Sequence, residues 1–226
     1  MTLPRIQGAL LAVLLCLGTA APLPAEEPAT PAGPASLEEM PGGNRESVTR
    51  LLAKTRRRYG EDAVLIQTRL LLQALRNGSQ LAAGVRVQGA DDYEGRQYLR
   101  FHVETGLVFD NGTRDLRARV HMLWLTLIEP TLESIGEPDM TQAGIAVETQ
   151  SFHRPYASGQ ELRASIDNPG LSEEVTFYVL RDDLTALAHE KLSVRDLFTR
   201  SRITIDDSER AFAAPTENAT TLAGPL

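Results

Sequence analysis

The stretch RDLRARVHMLWLTLIEPTLESI, Arg114 to Ile135, decides the fold, because it satisfies two incompatible periodicities. Wound as a helix, it places Leu116, Val120, Leu123, Trp124, Leu127, Ile128, Leu132 and Ile135 on one stripe, with Thr113 as N-cap and Gly136 as stop. Laid out as a strand, it folds back on Gln97 to Phe109 across a type I′ turn at Asn111-Gly112. That register sets Leu99 against Trp124, Phe101 against Met122, Val103 against Val120, His102 against His121 and Glu104 against Arg119. The helix is the better reading. Its apolar stripe resumes after Pro130, which no strand pairing explains, and Leu, Met, Arg and Ala lean helical. Pro130 is expected to kink the helix or divide it.

Upstream, Ser47 is expected to cap a helix running to Tyr59, with Gly60 as a break and a second helix from Glu61 to Arg76 ending at Asn77-Gly78. Leu81 to Val87 and Gln97 to Phe109 read as strands joined through Asp91-Asp92-Tyr93-Glu94-Gly95, the second alternating Leu99, Phe101 and Val103 with Arg100, His102 and Glu104. One face of that strand should be buried and the other wet, with Gly106 at a bend or bulge. Downstream, Ala143 to Phe152, Val175 to Leu180 and Arg202 to Ile205 read as strands. Asp182 or Asp183 is expected to cap one short helix and Ser193 to start another.

From Gln97 onward the order is strand, helix, strand, strand, helix, strand. This predicts an α+β fold, a ferredoxin-like split βαβ sandwich with an N-terminal helical arm and one extra strand. The hairpin alternative predicts a cystatin-like curved antiparallel sheet packed on a helix.

Residues 1–25 read as an export signal: Arg5, an apolar run of 12 residues from Ile6 to Leu17, then small residues and prolines. Such a run is shorter than the roughly 20 residues a spanning helix needs, so cleavage after Ala20 or Ala25 is expected rather than a transmembrane segment. Removal takes away Cys16, the only cysteine, and with it disulfides, thiolate nucleophiles and zinc-thiolate sites. Residues 26–46 are expected to form a proline-rich disordered tether, 47–207 a single α+β domain and 208–226 a disordered tail. The compartment implied is periplasmic or secreted, and 21 arginines against two lysines suggest a GC-rich bacterial genome.

The chain is acidic, with a formal charge of -7, and its arginines read as scattered rather than clustered. Nucleic acid and anionic lipid are therefore not expected as partners. Phosphate-loop, dinucleotide, His-Glu-x-x-His and Gly-x-Ser-x-Gly patterns are absent. No catalytic residue, cofactor or metal is assigned. His102, Glu104 and His121, with His153 more distantly, form a polar sheet cluster whose nitrogen and oxygen donors suit a divalent metal only if the hairpin forms. The other reading of this cluster is a solvated sheet face carrying ordinary cross-strand pairs. A candidate binding loop carries His153, Arg154, Tyr156 and Arg163 in a long connection between strands, an aromatic beside two guanidinium groups.

These features favour an exported, non-catalytic binding module for a protein or envelope partner. Two alternatives remain: a periplasmic hydrolytic or metal-dependent enzyme using His102 and Glu104, and a self-associating envelope assembly subunit.

Overall fold

The structure, a computed structural model, describes residues 36–40, 42–76, 84–110, 114–154 and 171–215. Arg114 to Ile135 is helical. Helix α3 (Leu116–Leu123) passes through a π-helical turn (Trp124–Ile128) directly into α4 (Glu129–Ile135). The wide turn explains how the chain tolerates Pro130. The Glu129 N–H donates to the Trp124 carbonyl five residues back, and the next residue, Pro130, has no N–H to offer. The expected division is thus a change of helical pitch. Gly136, at φ +68°, stops the helix as expected. Thr113 lies outside the described residues; the cap is Asp115, whose carboxylate accepts from the Ala118 N–H at 2.8 Å.

Among the described residues six strands form one sheet in sequence order: β1 (Val85–Tyr93), β2 (Arg96–Asp110), β3 (Gly144–Arg154), β4 (Leu171–Leu180), β5 (Arg202–Ile205) and β6 (Ser208–Arg210). All neighbours are antiparallel except β2 and β3, which lie parallel and are joined by the α3–α4 crossover. The architecture is α+β, as expected. The strand order is not the split arrangement, however, because β2 and β3 hydrogen-bond directly to each other with no strand between them. The predicted bulge is present, since the β2–β3 register shifts between Glu104 and Val108, around Gly106.

Several boundaries differ from expectation for local reasons. Helix α1 (Gly42–Tyr59) starts before Ser47, inside the expected tether, and Met40 just ahead of it is buried in the core. Gly60, at φ +89°, separates α1 from α2 (Glu61–Arg76) as expected. Asp91, Asp92 and Tyr93 belong to β1, so the turn is only Glu94-Gly95, both at positive φ. Asp206-Asp207 makes a second such turn at φ 45° and 64°, which starts β6 inside the expected tail. Beyond it, Phe212 and Ala214 pack on the core. Helix α5 (Arg181–Ala188) has Leu180, not Asp182 or Asp183, at its N-cap, and both aspartates fall in its first turn, where they favour the helix dipole. Ser193 caps α6 (Val194–Arg200) as expected, accepting from the Asp196 N–H at 3.1 Å.

The core lies between one sheet face and the helices. Leu99, Phe101 and Val103, Ile145 and Val147, Val175, Phe177 and Val179 project from alternate positions of β2, β3 and β4. They meet Ile66 and Leu70 of α2, Leu123, Trp124, Leu127 and Leu132 of the α3–α4 segment, and Leu197 and Phe198 of α6. Trp124 stacks edge-on against Phe198 at 5.0 Å between ring centroids. A bidentate ion pair ties the crossover to the sheet: Arg119 donates from Nε and Nη2 to Glu173 at 3.1 and 2.5 Å, both side chains buried. Arg119 thus answers Glu173 rather than Glu104, the pairing that only the hairpin alternative offered. No helix among the described residues is long and apolar enough to cross a membrane.

Candidate functional site

The even-numbered positions of β2, β3 and β4 project from the other sheet face, on which the core cluster has no members. A separate small apolar cluster sits there, made of Tyr98, Ala146 and Tyr178 with Tyr93 and Leu180 beside it, and no helix among the described residues contributes to it. Tyr93 and Tyr178 stack at 4.1 Å, and Tyr98 meets Tyr178 edge-on at 5.2 Å.

Next to the tyrosines lies a charged network. Parallel register pairs His102 with Glu148, and the His102 Nδ1 hydrogen-bonds Oε1 of Glu148. The other Glu148 oxygen accepts from Arg100 Nε at 2.6 Å. The same guanidinium reaches Asp91 on β1 at 3.2 Å and Glu174 on β4 at 3.3 Å, so one cation bridges four strands. Asp91 also accepts from the Tyr178 hydroxyl at 3.1 Å, and Glu209 on β6 accepts from Tyr93 at 3.0 Å. At the far end, Arg86 pairs with Glu104 at 2.7 Å, and the His102 Nε2 lies 3.7 Å from the same carboxylate.

Burial and charge shape these groups. Burial would raise the Glu148 carboxyl, but hydrogen bonds from His102 and Arg100 outweigh it and hold the group below its ordinary value. Glu174 is shifted the opposite way, first by burial and then by the negative charge of Glu148. Burial, followed by the Glu209 hydrogen bond, pushes the Tyr93 phenol up to about 12. Tyr178 is raised as well, by burial and then by Asp91. Both phenols are therefore fully protonated donors at neutral pH. This face is not uniformly wet. His102 is only 8 % exposed and Glu148 4 %.

Of the expected site residues, His102 and Glu104 share this face, but His121 does not. It sits on α3, where Nε2 hydrogen-bonds the Ala213 carbonyl at 2.8 Å and the ring packs edge-on against Phe198. A helix on the opposite sheet face cannot bring it to His102, and no group of three or more potential metal ligands occurs among the described residues. His153 and Arg154 end β3, while Tyr156 and Arg163 lie outside the described residues, as does most of the expected binding loop.

Arg100, Asp91, Glu148, Glu174 and the tyrosines escaped the sequence reading. The alternation in β2 placed Arg100 beside His102, but nothing local announces that Glu148 lies opposite His102, because parallel register is set by the crossover. Arginine clustering was missed too. Helix α1 collects six of the chain's 23 basic residues, Arg45, Arg50, Lys54, Arg56, Arg57 and Arg58, against Glu46 alone. A cleft of about 370 Å³ opens at the α1–α2 elbow, lined by Arg58, Asp62, Leu99, Asp139 and Met140 among others, and shares no residue with the charged network.

Comparison of the chain with protein-family models, with characterised proteins and with solved structures returned no match.

Proposed function

We propose that the chain is an exported, non-catalytic binding module that offers its charged and aromatic sheet face to a protein or other envelope component. The observation that carries this reading is that the ionisable side chains on that face spend their hydrogen bonds on one another. Arg100 is shared among three carboxylates, and His102 is held by one of them. Such a network fixes a polar surface in place, which lowers the ordering cost of binding. Export is supported by Arg5 followed by the apolar run Ile6 to Leu17. The test places a photo-crosslinking residue at Glu104 or Arg202 on this face, and at Arg195 on α6 as a control, in cells making the chain. A discrete adduct from the sheet-face positions alone supports the reading, and adducts from Arg195 alone, or none, defeat it.

One observation favours a second reading, a hydrolytic enzyme. With Nδ1 held by Glu148, Nε2 is the remaining nitrogen of the His102 ring, 3.7 Å from Glu104, and a carboxylate on one imidazole nitrogen is the arrangement that orients the other as general base. Hydrolysis of an ester, peptide or phosphate substrate that His102→Ala abolishes, in a protein that still folds, would establish this reading in place of the first.

A further inference from the structure

We infer that the outer face of α1 is an electrostatic docking surface for an anionic phospholipid bilayer. The helix is amphipathic in an unusual division. Val48, Leu52 and Thr55 are buried, with Tyr59 half-buried beside them, and this side packs on α2. On the opposite side, Arg50, Lys54 and Arg57 follow one another at i, i+4 and i+7, all exposed. Spaced at the 1.5 Å rise of a helix, they form a line of positive charge about 10 Å long. Arg45 and Arg56 flank the line on one side and Arg58 on the other.

The flanking cations are engaged locally. Arg56 pairs with Glu61 at 2.6 Å, Arg45 donates to the Glu38 carbonyl, and Arg58 lies over the Tyr59 ring at 5.2 Å. The line itself is different. Arg50 and Lys54 have no partner among the described residues, and Arg57 makes only one bond, from Nε to its own helix at the Ala53 carbonyl. Like charges at i, i+4 cost a helix stability, and only Glu46 is placed to offset them.

Charge complementarity names the occupant. The chain has 30 acidic residues and only one of them is in α1, so the rest of the molecule is strongly acidic while this helix is strongly basic. Near an anionic surface the body is repelled and α1 attracted, which orients the molecule with the helix against the surface. The apolar side of α1 is already used in the core, so the contact is electrostatic and does not insert. A nucleic acid suits the surface less well. The line is short, the acidic body repels a long polyanion, and among the described residues no exposed aromatic side chain lies on that side of the helix to stack bases. This inference does not depend on the sheet face described above.

The test measures sedimentation of the full chain with vesicles of phosphatidylcholine alone or containing phosphatidylglycerol, at low salt and at high salt. Any contribution from the apolar run Ile6 to Leu17 is common to every protein compared. Expected is preferential binding to the phosphatidylglycerol vesicles, lost at high salt, and weakened roughly 100-fold in the triple variant Arg50→Gln, Lys54→Gln, Arg57→Gln. A matched variant, Arg117→Gln, Lys191→Gln, Arg195→Gln, removes the same charge from other exposed sites and should bind nearly as the parent does. Equal binding to both vesicle types, equal losses in the two variants, or tighter binding to a single-stranded oligonucleotide than to the anionic vesicles would overturn the inference. Matching thermal unfolding of the three proteins guards against misfolding.

Discussion

Arg100 donates from Nε to Oε2 of Glu148 at 2.6 Å, reaching diagonally from β2 to the parallel strand beside it. Glu148 is 4 % exposed and serves His102 with its other oxygen, so removing it takes an acceptor from two donors at once. Glu148→Ala should cost about 2 kcal/mol, somewhat less than the usual loss from a broken buried pair, since Arg100 keeps Asp91 and Glu174. Urea unfolding of the variant checks this.

The neighbouring carboxylates should respond to pH with opposite signs. The Glu148 pKa is held down in the fold, so its ionised form stabilises above the unfolded value of roughly 4.3, and that stability is lost as pH falls through the lower folded value. The Glu174 pKa is raised, so its ionised form opposes folding at neutral pH, and the penalty vanishes once the group is protonated in both states. Glu148→Gln should lower Tm at pH 7 with the deficit shrinking below about pH 4, while Glu174→Gln should raise Tm at pH 7 with the gain fading earlier in the descent, as pH falls from the raised folded value toward roughly 4.3. Melting curves between roughly pH 3 and pH 7 decide the matter; parallel displacement of both variants at every pH would contradict it.

The Arg119–Glu173 pair should behave as a clamp between the crossover and β4. Either single alanine should cost about 3 to 5 kcal/mol, because the remaining charge is left buried. Arg119→Met with Glu173→Leu should recover most of that loss, which chemical denaturation of the three variants would show.

Gly144→Ala should be among the most damaging small substitutions in the sheet. A Cβ at Gly144 would be driven into the backbone carbonyl of Val179 on β4, which cannot yield without breaking the ladder. A loss of about 3 kcal/mol is expected, with amide exchange accelerating first around Ile145 and Val179.

What the sequence disclosed followed from the range of the interaction concerned. The α3–α4 helix was legible because its stripe is continuous, and the β2 alternation placed His102 and Glu104 on one face. Turns set by non-glycine residues were not legible. Asp206 and Asp207 adopt positive φ and create β6, where composition suggested a loose tail. The site was half legible. Arg100 lies two residues from His102, but Glu148, Glu174 and Asp91 come from three other strands, and only the sheet order assembles them. The hairpin alternative would have joined His102 to His121, and choosing the helix correctly also removed that constellation.

The wide turn at Trp124–Ile128 has a consequence for how this chain can vary in length. It holds one residue more than a regular turn would, and each residue advances a helix by about 100°. Deleting any one of the five would restore regular pitch and rotate everything beyond by that angle, swinging Thr131, Leu132 and Ile135 away from the core they now face. The helix is therefore phased: its two halves address the same sheet only because the register slips once between them, just ahead of a proline that cannot complete an ordinary turn.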